Sequence, residues 1–146
     1  MSKPANAILL VDPDARTRAL LTEQLKPLGC SIFEAADGPT ALSIIGAHDV
    51  KLVVTELYLQ TNTENCLINA IRRDKALTKT RTLAHTHRST AADRDWAMQA
   101  GADAYLIKPT RAERMRYVVG RLTTTRTSSR AAKSATPERP ESPYRR

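Results

Sequence analysis

The sequence predicts an α/β protein, a three-layer (βα)5 sandwich with a parallel sheet at its centre. Short apolar runs alternate with stretches whose apolar residues recur at helical spacing, and the alternation repeats five times. The runs are apolar at successive positions rather than at every second one, the pattern of strands buried on both faces. A length of 146 residues suits one domain followed by a short extension.

The first strand is Ala7–Val11. Asp14 is placed to cap the helix after it, in which Leu21, Leu25 and Leu28 recur at i, i+4 and i+7, and Gly29 follows as a stop. Cys30, Ile32 and Glu34 alternate with Ser31, Phe33 and Ala35 in a second strand, and Asp37-Gly38-Pro39 turns the chain. Ala41, Leu42, Ile44 and Ile45 form the apolar face of a second helix stopped near Gly46. Leu52–Leu57 is the third strand, and Leu67, Ile68 and Ile71 mark the third helix. Thr82–His85 is a weaker fourth strand. Thr90 with Asp93 makes a capping box for a fourth helix that carries Trp96, Ala97 and Ala100 and ends at Gly101. Ala104–Ile107 is the fifth strand, and Arg111–Leu122 the last helix, with Met115, Val118, Val119 and Leu122 on one side.

Five such units favour the flavodoxin-like strand order 2-1-3-4-5, in which sites form at the carboxyl ends of the strands where the order reverses. Asp12 and Glu56 then end adjacent strands 1 and 3, and Lys108-Pro109 ends strand 5. The expectation is one folded domain over residues 1–122 and a flexible basic tail over 123–146, where apolar periodicity stops and Pro137, Pro140 and Pro143 oppose regular structure.

Composition narrows the function. Hydrophobic residues make up 41% of the chain and aromatics 4%, so the core must be aliphatic. The apolar runs are far shorter than the roughly 20 residues of a membrane-spanning helix. Ser2, Lys3, Pro4 and Asn6 interrupt the amino terminus, which does not read as a signal segment, so a cytoplasmic location is expected. Cys30 and Cys66 have neither metal nor redox spacing and read as free thiols. The tail carries six basic residues against two acidic ones, half of the net charge of +8, and could attract nucleic acid or acidic partners, although it lacks aromatics for base stacking except Tyr144. Two histidines, His85 and His87, are too few for a metal site, and neither a Gly-rich phosphate loop nor a nucleophile–base pair points to an enzyme.

Several motifs in order carry a family resemblance: Ile8-Leu9-Leu10-Val11-Asp12, Glu34-Ala35-Ala36-Asp37-Gly38 with Ala41-Leu42, and the run from Ala100 through Gly101-Ala102-Asp103-Ala104-Tyr105-Leu106-Ile107-Lys108 to Pro109. From about Ala7 to Leu122 the chain resembles the receiver domain of bacterial two-component response regulators. In that family a histidine kinase donates a phosphoryl group to an aspartate after strand 3, acids after strand 1 help to hold a divalent cation, and a hydroxyl and a lysine contact the phosphoryl oxygens. The resemblance places Glu56 at the acceptor position, Asp12 and Pro13 at the two acid positions, Thr86 as the hydroxyl, Lys108 as the lysine and Tyr105 as the switch aromatic. It also implies a cis peptide at Lys108-Pro109.

Four of the family's residues are changed: Glu56 replaces aspartate, Pro13 an acid, Gln60 the usual proline and Glu64 the usual glycine. Pro13 offers no side-chain oxygen, whereas magnesium needs oxygens in near-octahedral geometry. The extra methylene of Glu56 projects its carboxylate into the space of metal or phosphoryl. No cofactor is expected, and magnesium should bind weakly or not at all, with Asp12 and Glu56 the acids able to contribute. Glu56 either pairs with Lys108, with Asp12 close by, or presents a partial imitation of a phosphorylated aspartate. The resemblance implies a degenerate receiver that acts as an interaction module through helix 4, strand 5 and helix 5, with a histidine kinase or downstream effector as partner. The alternatives are phosphotransfer by unusual chemistry, or binding of nucleic acid or acidic partners through the tail.

Overall fold

A computed structural model describes residues 6–59 and 67–124. Five strands, β1 (Ala7–Val11), β2 (Ser31–Ala35), β3 (Val50–Thr55), β4 (Arg81–Thr86) and β5 (Ala104–Ile107), alternate with five helices, α1 (Ala15–Leu25), α2 (Gly38–Ala47), α3 (Leu67–Arg73), α4 (Ala91–Ala100) and α5 (Ala112–Thr124). All strand pairs are parallel, in the order β2-β1-β3-β4-β5. This is the flavodoxin-like arrangement, and the reversal of strand order falls between β1 and β3.

Alternation along β1 fills both layers. Ile8 and Leu10 pack with Leu52, Val54, Leu83, Met115 and Val119 on one side, while Leu9 and Val11 pack with Val53, Ala41, Ile45 and Ile71 on the other. Each is at most 5% exposed, so no polar position was available to break the runs. A smaller cluster joins Leu57, Ile68, Ala84, Ala97, Ala102 and Tyr105.

The expected caps form. Asp14 accepts from the Arg16 N–H, Asp37 from that of Thr40, and Thr90 from that of Asp93. Gly101 follows α4 directly at φ 118°, whereas α1 ends at Leu25 and Gly29, at φ 70°, caps the 3-10 turn Lys26–Leu28 that continues it. The Lys108–Pro109 peptide is cis.

Several boundaries differ from the sequence reading. Leu28 and Leu42 are 39% and 43% exposed, because helical spacing marks a stripe wider than the surface that the sheet covers. Gly46 lies inside α2, which closes through the His48 N–H on the Ile44 carbonyl. β3 stops at Thr55, which leaves Glu56 and Leu57 on the loop. α5 continues to Thr124, two residues past the expected domain boundary, with Thr123 and Thr124 hydroxyls bonding carbonyls of the preceding turn. Gln60, Glu64, Cys66 and the tail beyond Thr124 lie outside the described residues. Among the described residues no helix is long and apolar enough to cross a membrane.

Candidate functional site

The carboxyl ends of β1, β3, β4 and β5 bring the expected residues together. Backbone bonds set their directions. Asp12 donates its N–H to Ala35 O at 3.0 Å, Glu56 to Val11 O at 3.0 Å, and Lys108 to Thr86 O at 2.8 Å. The lysine side chain thereby reaches inward over the sheet edge. Its ammonium lies 2.7 Å from Asp12 Oδ2 and 2.8 Å from Glu56 Oε1. The remaining carboxylate oxygens also have donors: Asp12 Oδ1 accepts from the Asp14 N–H at 2.9 Å, and Glu56 Oε2 from the Leu57 N–H at 2.8 Å.

The three side chains are 5–16% exposed, so their charges interact with little screening from water. Burial pushes the Glu56 carboxyl up, but hydrogen bonds from Lys108 and Thr86, the ammonium charge and the Leu57 N–H outweigh it and hold the carboxyl below its usual range. Burial likewise pulls the Lys108 ammonium down, and its bonds to Asp12 and Glu56 raise it above its ordinary value. The lysine therefore stays charged beside an ionised Glu56.

Pro13 and Asp14 form the near rim of an open pocket of about 320 Å³ above the triad, and Tyr58, Thr86, His87 and Arg88 form the far rim. Asp14 does not replace the missing acid at Pro13. Its oxygens accept from Arg16 N–H at 3.0 Å and Thr17 Oγ1 at 3.1 Å, and these bonds lower its pKa. Thr86 is buried, and its hydroxyl accepts from the Arg88 N–H at 3.2 Å.

Tyr105 is buried at 8% exposure, and its hydroxyl donates to the Arg88 carbonyl at 2.8 Å. Burial first, then the charges of Asp93 and other neighbours, push the phenol up to about 12. The two histidines separate. His85 is buried in β4, while His87 lies past the strand end, exposed on the pocket rim. The described residues contain no cluster of three His, Cys, Asp or Glu suited to a metal.

Magnesium, which the fold family implies, does not fit the residues present. Every carboxylate oxygen of Asp12 and Glu56 already accepts from a protein donor, and Pro13 supplies no oxygen.

Three residues escaped the sequence reading. Arg18 donates to Glu34 Oε1 at 2.8 Å and to the Asp12 carbonyl, and so ties the acid's loop to β2. Tyr58 and Arg88 meet across the rim, the guanidinium 4.4 Å from the ring centre. Their pairing depends on two loops converging, for which sequence spacing carries no signal.

Fold and site together define a signal-receiving domain. A family model described as the response regulator receiver domain matches residues 8–119, and the chain belongs to that family. The chemotaxis protein CheY of Pseudomonas aeruginosa is 31% identical over 103 residues, covering 70% of this chain and 83% of that protein. A probable transcriptional regulator, ycf27 of Porphyridium aerugineum, is 30% identical over 102 residues. That match covers 70% of this chain and 41% of the regulator, so the chain spans about two fifths of that relative's length. A two-component response regulator from Clostridium difficile superposes with a TM-score of 0.75 at 25% identity, over 82% of this chain and 97% of that structure.

Proposed function

We propose that this receiver takes up no phosphoryl group, that Glu56 stands at the acceptor position, and that the chain acts in two-component signalling as a protein-interaction module. The observation that carries the reading is the saturation of Lys108 by Glu56 and Asp12 at 2.8 and 2.7 Å. The lysine that would contact an incoming phosphoryl group is already neutralised by two internal carboxylates. With Oε2 held by the Leu57 N–H as well, Glu56 supports the ion-pair reading over an outward-facing imitation of phosphate.

Output would pass through the surface of α4, β5 and α5 to a histidine kinase or a downstream effector. Met98, Ile107 and Tyr117 supply one exposed large apolar side chain from each of these elements, at 37%, 41% and 61% exposure. Exposed Arg114 and Arg121 lie on the same helix as Tyr117, with exposed Arg111 just before it, and Arg121 reaches over the Tyr117 ring at 6.0 Å. Apolar and arginine side chains in combination are the usual composition of a binding surface.

The test is intact mass after incubation with acetyl phosphate and magnesium. The mass should not change. A stoichiometric gain that vanishes in Glu56→Gln overturns the reading and establishes phosphotransfer by unusual chemistry.

A further inference from the structure

Tyr58 occupies an unusual position. Its ring stacks on Trp96 at 5.5 Å and an interplanar angle of 7°, its hydroxyl donates to Asp93 Oδ1 at 2.8 Å, and the Arg88 guanidinium lies over it at 4.4 Å. These contacts join the segment after β3 to the connection between β4 and α4 and to α4 itself. The same Arg88 is held twice more by its backbone, through its N–H on Thr86 Oγ1 and its carbonyl under the Tyr105 hydroxyl.

We propose that Tyr58 is a latch that fixes the β4–α4 connection, residues 87–90, and through the Arg88 carbonyl holds Tyr105 inward, whatever the charge in the pocket below. The inference deepens the proposed function and rests on it: a receiver that takes up no phosphoryl group needs another device to hold its output face in one arrangement.

Physical reasons favour the latch over the triad as that device. Stacked rings and a cation over a ring act over a broad contact and still contribute at a half-exposed site, though less than when desolvated. The hydroxyl bond to ionised Asp93 adds direction and is charge-assisted. Among the described residues the Lys108 ammonium bonds Asp12 and Glu56 rather than Trp96, Asp93 or Arg88, and Thr86 joins the triad to the connection. A tyrosine two residues past Glu56 is therefore linked to the switch aromatic by three side-chain contacts and one main-chain carbonyl, with no covalent input.

Amide hydrogen exchange of the full chain tests this, with the Lys108 N–H on Thr86 O as an internal control. In Tyr58→Ala, exchange across residues 87–90 should accelerate about tenfold or more as stack and cation contact are lost together. The emission of Trp96, the chain's single tryptophan, should shift to the red, and the Tyr105 ring resonances should move. Tyr58→Phe keeps the ring and should loosen the segment less. Glu56→Gln should leave residues 87–90 and Tyr105 as they are.

Unchanged exchange and Tyr105 resonances in Tyr58→Ala overturn the latch, as does a Glu56→Gln variant that loosens the segment equally. Should Tyr58→Ala fail to fold, Arg88→Ala carries the same expectation, because it keeps the backbone bonds and removes the cation. Exchange is read on protein never exposed to a phosphodonor, so a failed latch is distinct from a mass gain with acetyl phosphate, which strikes only at the reading of Glu56.

Discussion

The Lys108 ammonium sits 2.8 Å from Glu56, a residue 52 positions away in the chain, and 2.7 Å from Asp12. Backbone bonds at the ends of three strands aim the side chains at one point, and burial makes the pairing matter. A buried charge left without its partner loses its compensation while retaining its desolvation cost.

Lys108→Ala should therefore lower unfolding stability by about 3 kcal/mol, more than an exposed pair contributes. Adding Glu56→Gln should recover part of the loss by removing one of two facing carboxylates. Urea denaturation of the four members of a double-mutant cycle measures the coupling. A coupling near zero would mean that the triad is not assembled in solution.

His85 predicts an acid-sensitive component of stability. It is 5% exposed, its Nδ1 has no hydrogen-bond partner among the described residues, and Lys108, Asp12, Glu56 and His87 are the charged and titratable groups acting on it. Burial first, and then the Lys108 charge, depress its pKa from 6.5 to about 4. The unfolded chain then binds the extra proton, so stability is present above pH 6.5 and is lost as pH falls toward 4. The loss should be about 3 kcal/mol across that window. Glu56, also lowered, adds its own loss only as pH falls through its folded value, below the ordinary 4.5. His85→Leu should flatten the pH 4–6.5 window and alter stability at neutral pH by less than about 1 kcal/mol, since it removes an unpaired polar atom. Melting curves of both proteins between pH 4 and 8 decide it, and equal slopes would refute the assignment.

Gly101→Ala should cost far more than Gly29→Ala. Both glycines have positive φ, 118° and 70°. A methyl at Gly29 meets open space, while one at Gly101 would overlap the Arg72 side chain, whose guanidinium donates to the Thr80 carbonyl. Expected losses are about 1 kcal/mol at Gly29 and about 3 kcal/mol at Gly101. Comparable midpoints in denaturant would show that Arg72 swings away freely.

Pro13→Asp combined with Glu56→Asp should give a stronger magnesium response than the natural chain. The double change adds an oxygen ligand and withdraws the carboxylate by one methylene. Magnesium titration followed by Trp96 emission reads it, because that indole stacks on Tyr58 at the pocket rim. An equal response in the natural chain would contradict the poor fit argued for this site.

The sequence by itself determined the architecture. Apolar runs such as Ile8–Val11, capping residues Asp14, Asp37 and Thr90, and stops at Gly29 and Gly101 are local signals, and each depends on backbone geometry within a few residues. It also placed Asp12, Glu56 and Lys108 at strand ends, because a parallel sheet carries its site there. Only the tertiary structure decided which surfaces are covered and which loops meet. Leu42 and Leu28 read as core yet stay exposed, and His85 and His87 read as a pair yet divide between core and rim. The contact of Tyr58 with Arg88 and Trp96, and the anchoring of Tyr105 on a main-chain carbonyl, arise from the convergence of segments 30 or more residues apart for the first pair and 17 for the second. Periodicity reports what one element presents to its neighbours. Which neighbour arrives is fixed by packing of the whole sheet and its helices.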